Sequence, residues 1–106
     1  IVHMTSKSRC TTQAFAGNMQ KWMFDDHAFF FHDDEAVERL LQRHWDDFPH
    51  LSLVRKCLRS GAATADLWRY LVLWEYGGIY TDIDNAPGRL WNSTLIAQDD
   101  DAFFVV

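Results

Sequence analysis

An α/β fold with at least partly parallel strands is the architecture this sequence predicts, and three observations carry it. Short β-prone runs alternate with helical periodicities along the whole chain. The clearest helix, opening at His32-Asp33-Asp34-Glu35, directly follows the aromatic run Phe29-Phe30-Phe31. A strongly apolar helix stops at Gly77-Gly78 and leads at once into a last strand, Ile79 to Asp84.

The elements follow in order. Ile1-Val2-His3-Met4 reads as a short first strand, and a polar loop runs from Thr5 to Cys10. Thr11 or Thr12 can cap a helix reaching about Met23, with Phe15, Met19, Trp22 and Met23 as its apolar stripe. After the aromatic strand, Ala36, Val37, Leu40, Leu41, His44 and Trp45 recur at helical spacing, and the acidic first turn suits the helix dipole. Pro49 begins a short helix that contains Leu51, Val54 and Leu58 and ends near Gly61. The helix from about Ala63 to Tyr76 is apolar almost all round, which predicts an interior position for it, with Trp68 and Trp74 in the core. Asn85-Ala86-Pro87-Gly88 reads as a turn.

Composition bounds the function. A chain of 106 residues suits one small domain or a piece of a larger one, and 48% hydrophobic residues supply a packed core. The net charge of −5, with no lysine or arginine stripe, excludes non-specific nucleic-acid binding. An acidic protein that takes a polyphosphate ligand needs a cation or a local arginine to offset repulsion. The richest apolar stretch, Leu67 to Trp74, is too short to span a bilayer and is interrupted by Arg69. Ile1 opens the chain without a signal-peptide pattern, and Phe103-Phe104-Val105-Val106 closes it as an apolar strand without neighbours. Both ends read as truncation, so a membrane anchor could lie outside this segment. Cys10 and Cys57 could pair in an oxidising compartment; the preferred reading is two reduced core thiols.

The chemistry concentrates in Ala65-Asp66-Leu67-Trp68-Arg69-Tyr70 and in Tyr76 to Asp84. On an extended strand Tyr80, Asp82 and Asp84 share one face, while Ile79, Thr81 and Ile83 share the other. The carboxylates would then sit at the strand's carboxyl end, where open α/β sheets bind ligands. Their Cα atoms would be about 7 Å apart, too far for both to hold one ion without a bend. One would ligate a metal, and the other would hold a metal-bound water or a ribose hydroxyl. Magnesium and manganese favour such oxygen-rich sites completed by substrate phosphates.

The combined run Asp66-Leu67-Trp68-Arg69, Tyr76-Gly77-Gly78-Ile79-Tyr80 and Asp82-Ile83-Asp84 resembles the DXD-containing sugar-binding region of glycosyltransferase family 32. That family and its relatives include fungal Golgi mannosyltransferases and, more distantly, the large clostridial glucosylating toxins. The close match covers about a fifth of the chain, and a looser one extends through Ile1-Val2-His3 and Phe31 to Asp34. The resemblance implies a GT-A-type, Rossmann-like nucleotide-sugar-binding fold, with residues 1–106 as a truncated N-terminal, donor-binding part. It implies a nucleotide-diphosphate sugar donor, a glycan, protein or lipid acceptor, transfer with retention, and Mn²⁺ or Mg²⁺. Carried over by position, Asp84 is the main metal ligand, and Asp82 contacts donor ribose or a metal-bound water. Asp66 and Arg69 hold the donor sugar and its diphosphate side, and Tyr80 lines the pocket. Asp66, Arg69, Asp82 and Asp84 are therefore the expected catalytic set. Ser6 stands at about the place where relatives carry a tryptophan near the base, so base stacking is not expected from it.

Structural readings stand beside these. Asp66 and Arg69, three apart on a helix, can form an ion pair worth roughly 0.2–0.5 kcal/mol. Gly77-Gly78 stops a helix whatever the function. His32-Asp33-Asp34 can be drawn as a metal cluster but reads better as a helix start. Two other functions compete: a haloacid-dehalogenase-type phosphatase with Asp82 as nucleophile and Asp84 as acid, and a non-catalytic nucleotide-sugar-binding remnant. Asn92-Ser93-Thr94 is an N-glycosylation sequon, which with the resemblance points to the Golgi lumen or membrane. The alternative is a cytoplasmic or secreted protein if the source is bacterial.

Overall fold

The computed structural model describes residues 1–89, 91, 93–97 and 99–101. The expected closing strand at Phe103 to Val106 and the sequon residue Asn92 lie outside them. Three strands, β1 (Val2–Thr5), β2 (Phe29–His32) and β3 (Ile79–Asp82), form one sheet in the order β2-β1-β3. Both pairings are parallel, and the register sets Thr5 beside His32 on one side and Asp82 on the other.

The connections cover opposite faces, as the right-handed crossover rule requires when successive strands are added on either side of the first. Helix α1 (Gln13–Lys21) joins β1 to β2. Val2, Met4 and Trp22 form a buried cluster on its side, joined by Met19, Phe29, Phe31, Ile79 and Ile83. Helices α2 (Asp34–Gln42), α3 (Leu51–Cys57) and α4 (Gly61–Tyr76) lead to β3. On that side Val37, Leu41, Trp45, Trp68, Leu71 and Val72 pack together, with Tyr80 against them.

The caps explain the helix starts. Thr12 accepts a hydrogen bond from the Phe15 amide, Asp33 from Ala36 and Ser60 from Ala63. Asp33 therefore opens α2 as a cap, with His32 still in the strand. Gly77 and Gly78 end α4 at φ +62° and +93°. Both angles favour glycine, and a Cβ on Gly78 would collide with the Ile1 carbonyl.

Several expectations need correction. Helix α2 ends at Gln42 and excludes His44 and Trp45; Trp45 returns to the core because its indole N–H donates to the Leu40 carbonyl. Gly61 begins α4 rather than closing α3, since Ser60 caps there; Leu58 lies just past the end of α3, and Val54 is exposed. Helix α4 is not buried all round: Tyr70 is 68% and Trp74 62% exposed, while Trp68, Leu71 and Val72 make its inner face. Among the described residues the helix packs chiefly against β3 and α2, with Trp74 edge-on to Phe48. Met23 of the α1 stripe is exposed. The cysteines are free, as preferred, yet both are exposed and not core thiols.

Candidate functional site

The carboxyl ends of β1 and β3 flank the point where the sheet order reverses, which is the crevice that open α/β sheets use for ligands. Asp82 closes β3 there. The strand ends two residues earlier than the sequence predicts, so Asp84 lies in a turn and not on the strand. The Asn85 amide donates to the Asp82 carbonyl at 3.1 Å, which bends the chain between the two acidic residues. The shared face therefore holds for Tyr80 and Asp82, and Asp84 projects from a turn, exposed.

Four of the five candidate residues meet. Arg69 Nη2 donates to Asp66 Oδ1 at 2.9 Å and stands 3.9 Å from Asp82 Oδ1. The guanidinium lies over the Tyr80 ring at 4.5 Å. Tyr80 Oη donates to Asp82 Oδ1 at 2.7 Å. Burial, and then the hydrogen bond to Asp82, push the Tyr80 phenol up to about 12, so it stays a donor at neutral pH. Arg69 Nε is buried with no partner among the described residues, which leaves the guanidinium one unmatched donor. Asp66 and Asp82 thus share one arginine, and Asp84 follows two residues on. The local balance is acidic, so a polyphosphate entering here needs a cation.

Among the described residues no three histidine, cysteine or acidic side chains gather as a metal cage. The donor set fits a different mode. Magnesium and manganese are commonly held by one or two carboxylates, with phosphate and water oxygens completing the shell. Asp82 and Asp84, both exposed at a turn, are hard oxygen ligands of that kind.

Sequence reasoning missed two supports of the site. His3, 2% exposed, contacts the Gly77 carbonyl through Nε2 at 3.0 Å and His32 Nε2 through Nδ1 at 3.3 Å. Nε2–H donating to Gly77 leaves Nδ1 to accept from His32, so this arrangement uses two neutral rings. Burial is the main cause holding both imidazoles below the ordinary histidine value, although the Gly77 bond opposes it at His3. The pair thereby ties β1 to the glycine corner that launches β3. From α1, Asn18 Nδ2 donates to the Ile83 carbonyl and Trp22 Nε1 to the Asn85 carbonyl. The only available signal was Asn18 itself, a polar residue four before Trp22 and so on the same helix face.

A cavity of about 260 Å³ opens elsewhere, lined by His32, Arg39, Arg43 and Tyr76 among others, and it includes none of the five candidates. Arg43 is already paired with Glu75 there, and Arg39 with Glu35.

Comparison with known proteins gives a concordant result. Residues 3–100 match the family described as "Glycosyltransferase sugar-binding region containing DXD motif". The chain is 29% identical over 78 residues to the initiation-specific alpha-1,6-mannosyltransferase of Candida albicans, covering 69% of this chain. It spans 20% of that relative's length. No solved structure matches the chain.

Proposed function

The chain belongs to the glycosyltransferase family of DXD-containing sugar-binding regions, and on that footing we propose that it is the donor-binding part of a metal-dependent enzyme of GT-A type. It would transfer a sugar from a nucleotide-diphosphate donor to a glycan, protein or lipid acceptor, with retention. The observation that carries this reading is the convergence of Asp66, Arg69, Tyr80 and Asp82 at the carboxyl end of β3.

Each residue has a role in the proposal. Asp66 accepts from hydroxyls of the donor sugar, and Arg69 faces the sugar and its diphosphate side. The Tyr80 ring supports the guanidinium from one side and lines the pocket. Asp84, assisted by Asp82, would hold Mn²⁺ or Mg²⁺, which supplies charge neutralisation for the diphosphate as the sugar–phosphate bond breaks. Asp82 carries the ribose contact, with Tyr80 Oη fixing the rotation of its carboxylate. The sugar develops oxocarbenium-like charge as its bond to phosphate lengthens. The Golgi lumen or membrane is the proposed compartment; among the described residues no helix is long and apolar enough to cross a membrane.

The test is calorimetric titration of the full-length protein with a panel of nucleotide sugars, with and without Mn²⁺. A nucleotide-diphosphate mannose comes first, because the Candida albicans relative is named a mannosyltransferase. Metal-dependent binding of at least one donor, together with its turnover, is expected. Binding without turnover would instead favour a non-catalytic sugar-nucleotide module, and binding of no donor would overturn the reading.

A further inference from the structure

Helix α1 and Trp22, which caps its C-terminus, lie on the opposite face of the sheet from Asp66 and Arg69, yet they make two hydrogen bonds to the turn that carries Asp84. Asn18 Nδ2 donates to the Ile83 carbonyl at 3.3 Å, and Trp22 Nε1 donates to the Asn85 carbonyl at 3.1 Å. The two carbonyls are those of the residues immediately before and after Asp84. A third bond, from the Asn85 amide to the Asp82 carbonyl, closes the turn itself. Trp22 is 6% exposed and packed in the cluster with Val2 and Met4, so its indole N–H is a fixed donor anchored in the core. Asn18 stands one helical turn before it.

We propose that Asn18 and Trp22 are positioning residues: they clamp the backbone on both sides of Asp84 and thereby hold its carboxylate where a divalent cation is bound. This rests on the proposed metal role of Asp84. An exposed two-carboxylate site has few protein ligands, so its affinity depends on how little the turn must be ordered when the cation arrives. Two carbonyls already held by the helix leave Asp84 less backbone freedom to lose. Removing outer groups that orient a ligand commonly costs about tenfold or more in metal affinity. The clamp also gives α1 a reason to carry a polar side chain on its inner face beside Met19 and Trp22.

The experiment titrates Mn²⁺ alone into the full chain and follows free Mn²⁺ by electron paramagnetic resonance, for wild type, Asn18→Ala, Trp22→Phe and the double variant. Alanine suits a helix interior and phenylalanine keeps an aromatic in the core, so thermal melts should remain cooperative. Each single change should raise the Mn²⁺ dissociation constant about tenfold, and the double change more. Donor-free Mn²⁺ binding is the readout that a purely structural role would leave in place once folding is confirmed. Folded variants with wild-type Mn²⁺ affinity would overturn the clamp. If Trp22→Phe does not fold, Asn18→Ala alone decides in the same way. Wild type that binds no Mn²⁺ would instead overturn the metal reading on which the clamp rests, so the two failures are distinct.

Discussion

The Arg69 guanidinium carbon lies 4.5 Å from the centre of the Tyr80 ring, while Nη2 of the same arginine reaches Asp66 at 2.9 Å. A planar guanidinium that sits over a ring while one of its nitrogens reaches a carboxylate is a contact lysine cannot reproduce, because an ammonium is a compact point charge. Arg69→Lys should leave the fold intact and weaken nucleotide-sugar binding about tenfold. Calorimetric titration with Mn²⁺ held saturating measures it. Unchanged affinity would remove Arg69 from the proposed site.

Asp84→Asn changes a charge at nearly constant volume on an exposed turn. Circular dichroism should show a folded protein, whereas Mn²⁺-dependent donor binding and turnover should fall by at least about a hundredfold. Asp82→Asn should also be severe but keep part of the metal affinity. Its Oδ1 already accepts from Tyr80, which leaves that carboxylate less free to act as the main ligand. Equal losses in Mn²⁺ affinity from the two substitutions would contradict this division of roles.

Gly78 is where the backbone tolerates no side chain. Its φ of +93° is unfavourable for an L-residue, and a Cβ would meet the Ile1 carbonyl that accepts from the Ile79 amide. Gly78→Ala should cost more than about 1–3 kcal/mol, seen as a lower urea midpoint at constant slope. Gly77→Ala meets nothing within 4 Å, but φ +62° with ψ −161° is a region essentially reserved for glycine, so it should also destabilise, through backbone strain and not through a clash.

The buried histidines give a pH dependence with a definite sign. His3 and His32 are both held below the ordinary value of 6.5 in the folded state, so the unfolded chain binds more protons between the two values. Their contribution is full above 6.5 and falls as the pH drops through that value toward the lowered folded ones. Urea denaturation at pH 7.5, 6.5 and 5.5 should show stability declining across the last step. The slope should flatten in His3→Gln, whose amide can still donate to Gly77. The lowered carboxylates at Asp26, Asp33 and Glu38 act in a separate, more acid window, since their ordinary values are 3.8, 3.8 and 4.5. A flat profile between pH 7.5 and 5.5 would contradict the buried-pair assignment.

The sequence by itself determined the local features that propensity and spacing encode. A cap at Thr11 or Thr12, the acidic first turn of α2, the stop at Gly77-Gly78 and an at least partly parallel sheet were all readable, although Asp33 as the cap of α2 was not. The motif was readable too, because Asp66 and Arg69 lie one helical turn apart and Tyr80 and Asp82 share a strand face. Helix limits were less legible: apolar spacing at His44 and Trp45 continues past Gln42, where the indole bond to Leu40 folds the chain back instead. Composition likewise could not tell that Tyr70 and Trp74 of α4 are exposed among the described residues, since burial depends on what packs against a helix and not on its own residues. Only the tertiary structure decided where the last strand stops. Asp84 is drawn off the strand by a turn whose flanking carbonyls are held from α1, more than sixty residues earlier in the chain. Long-range hydrogen bonds of that kind leave no period in the sequence, so the helix on the far side of the sheet entered the site only when the fold brought it there.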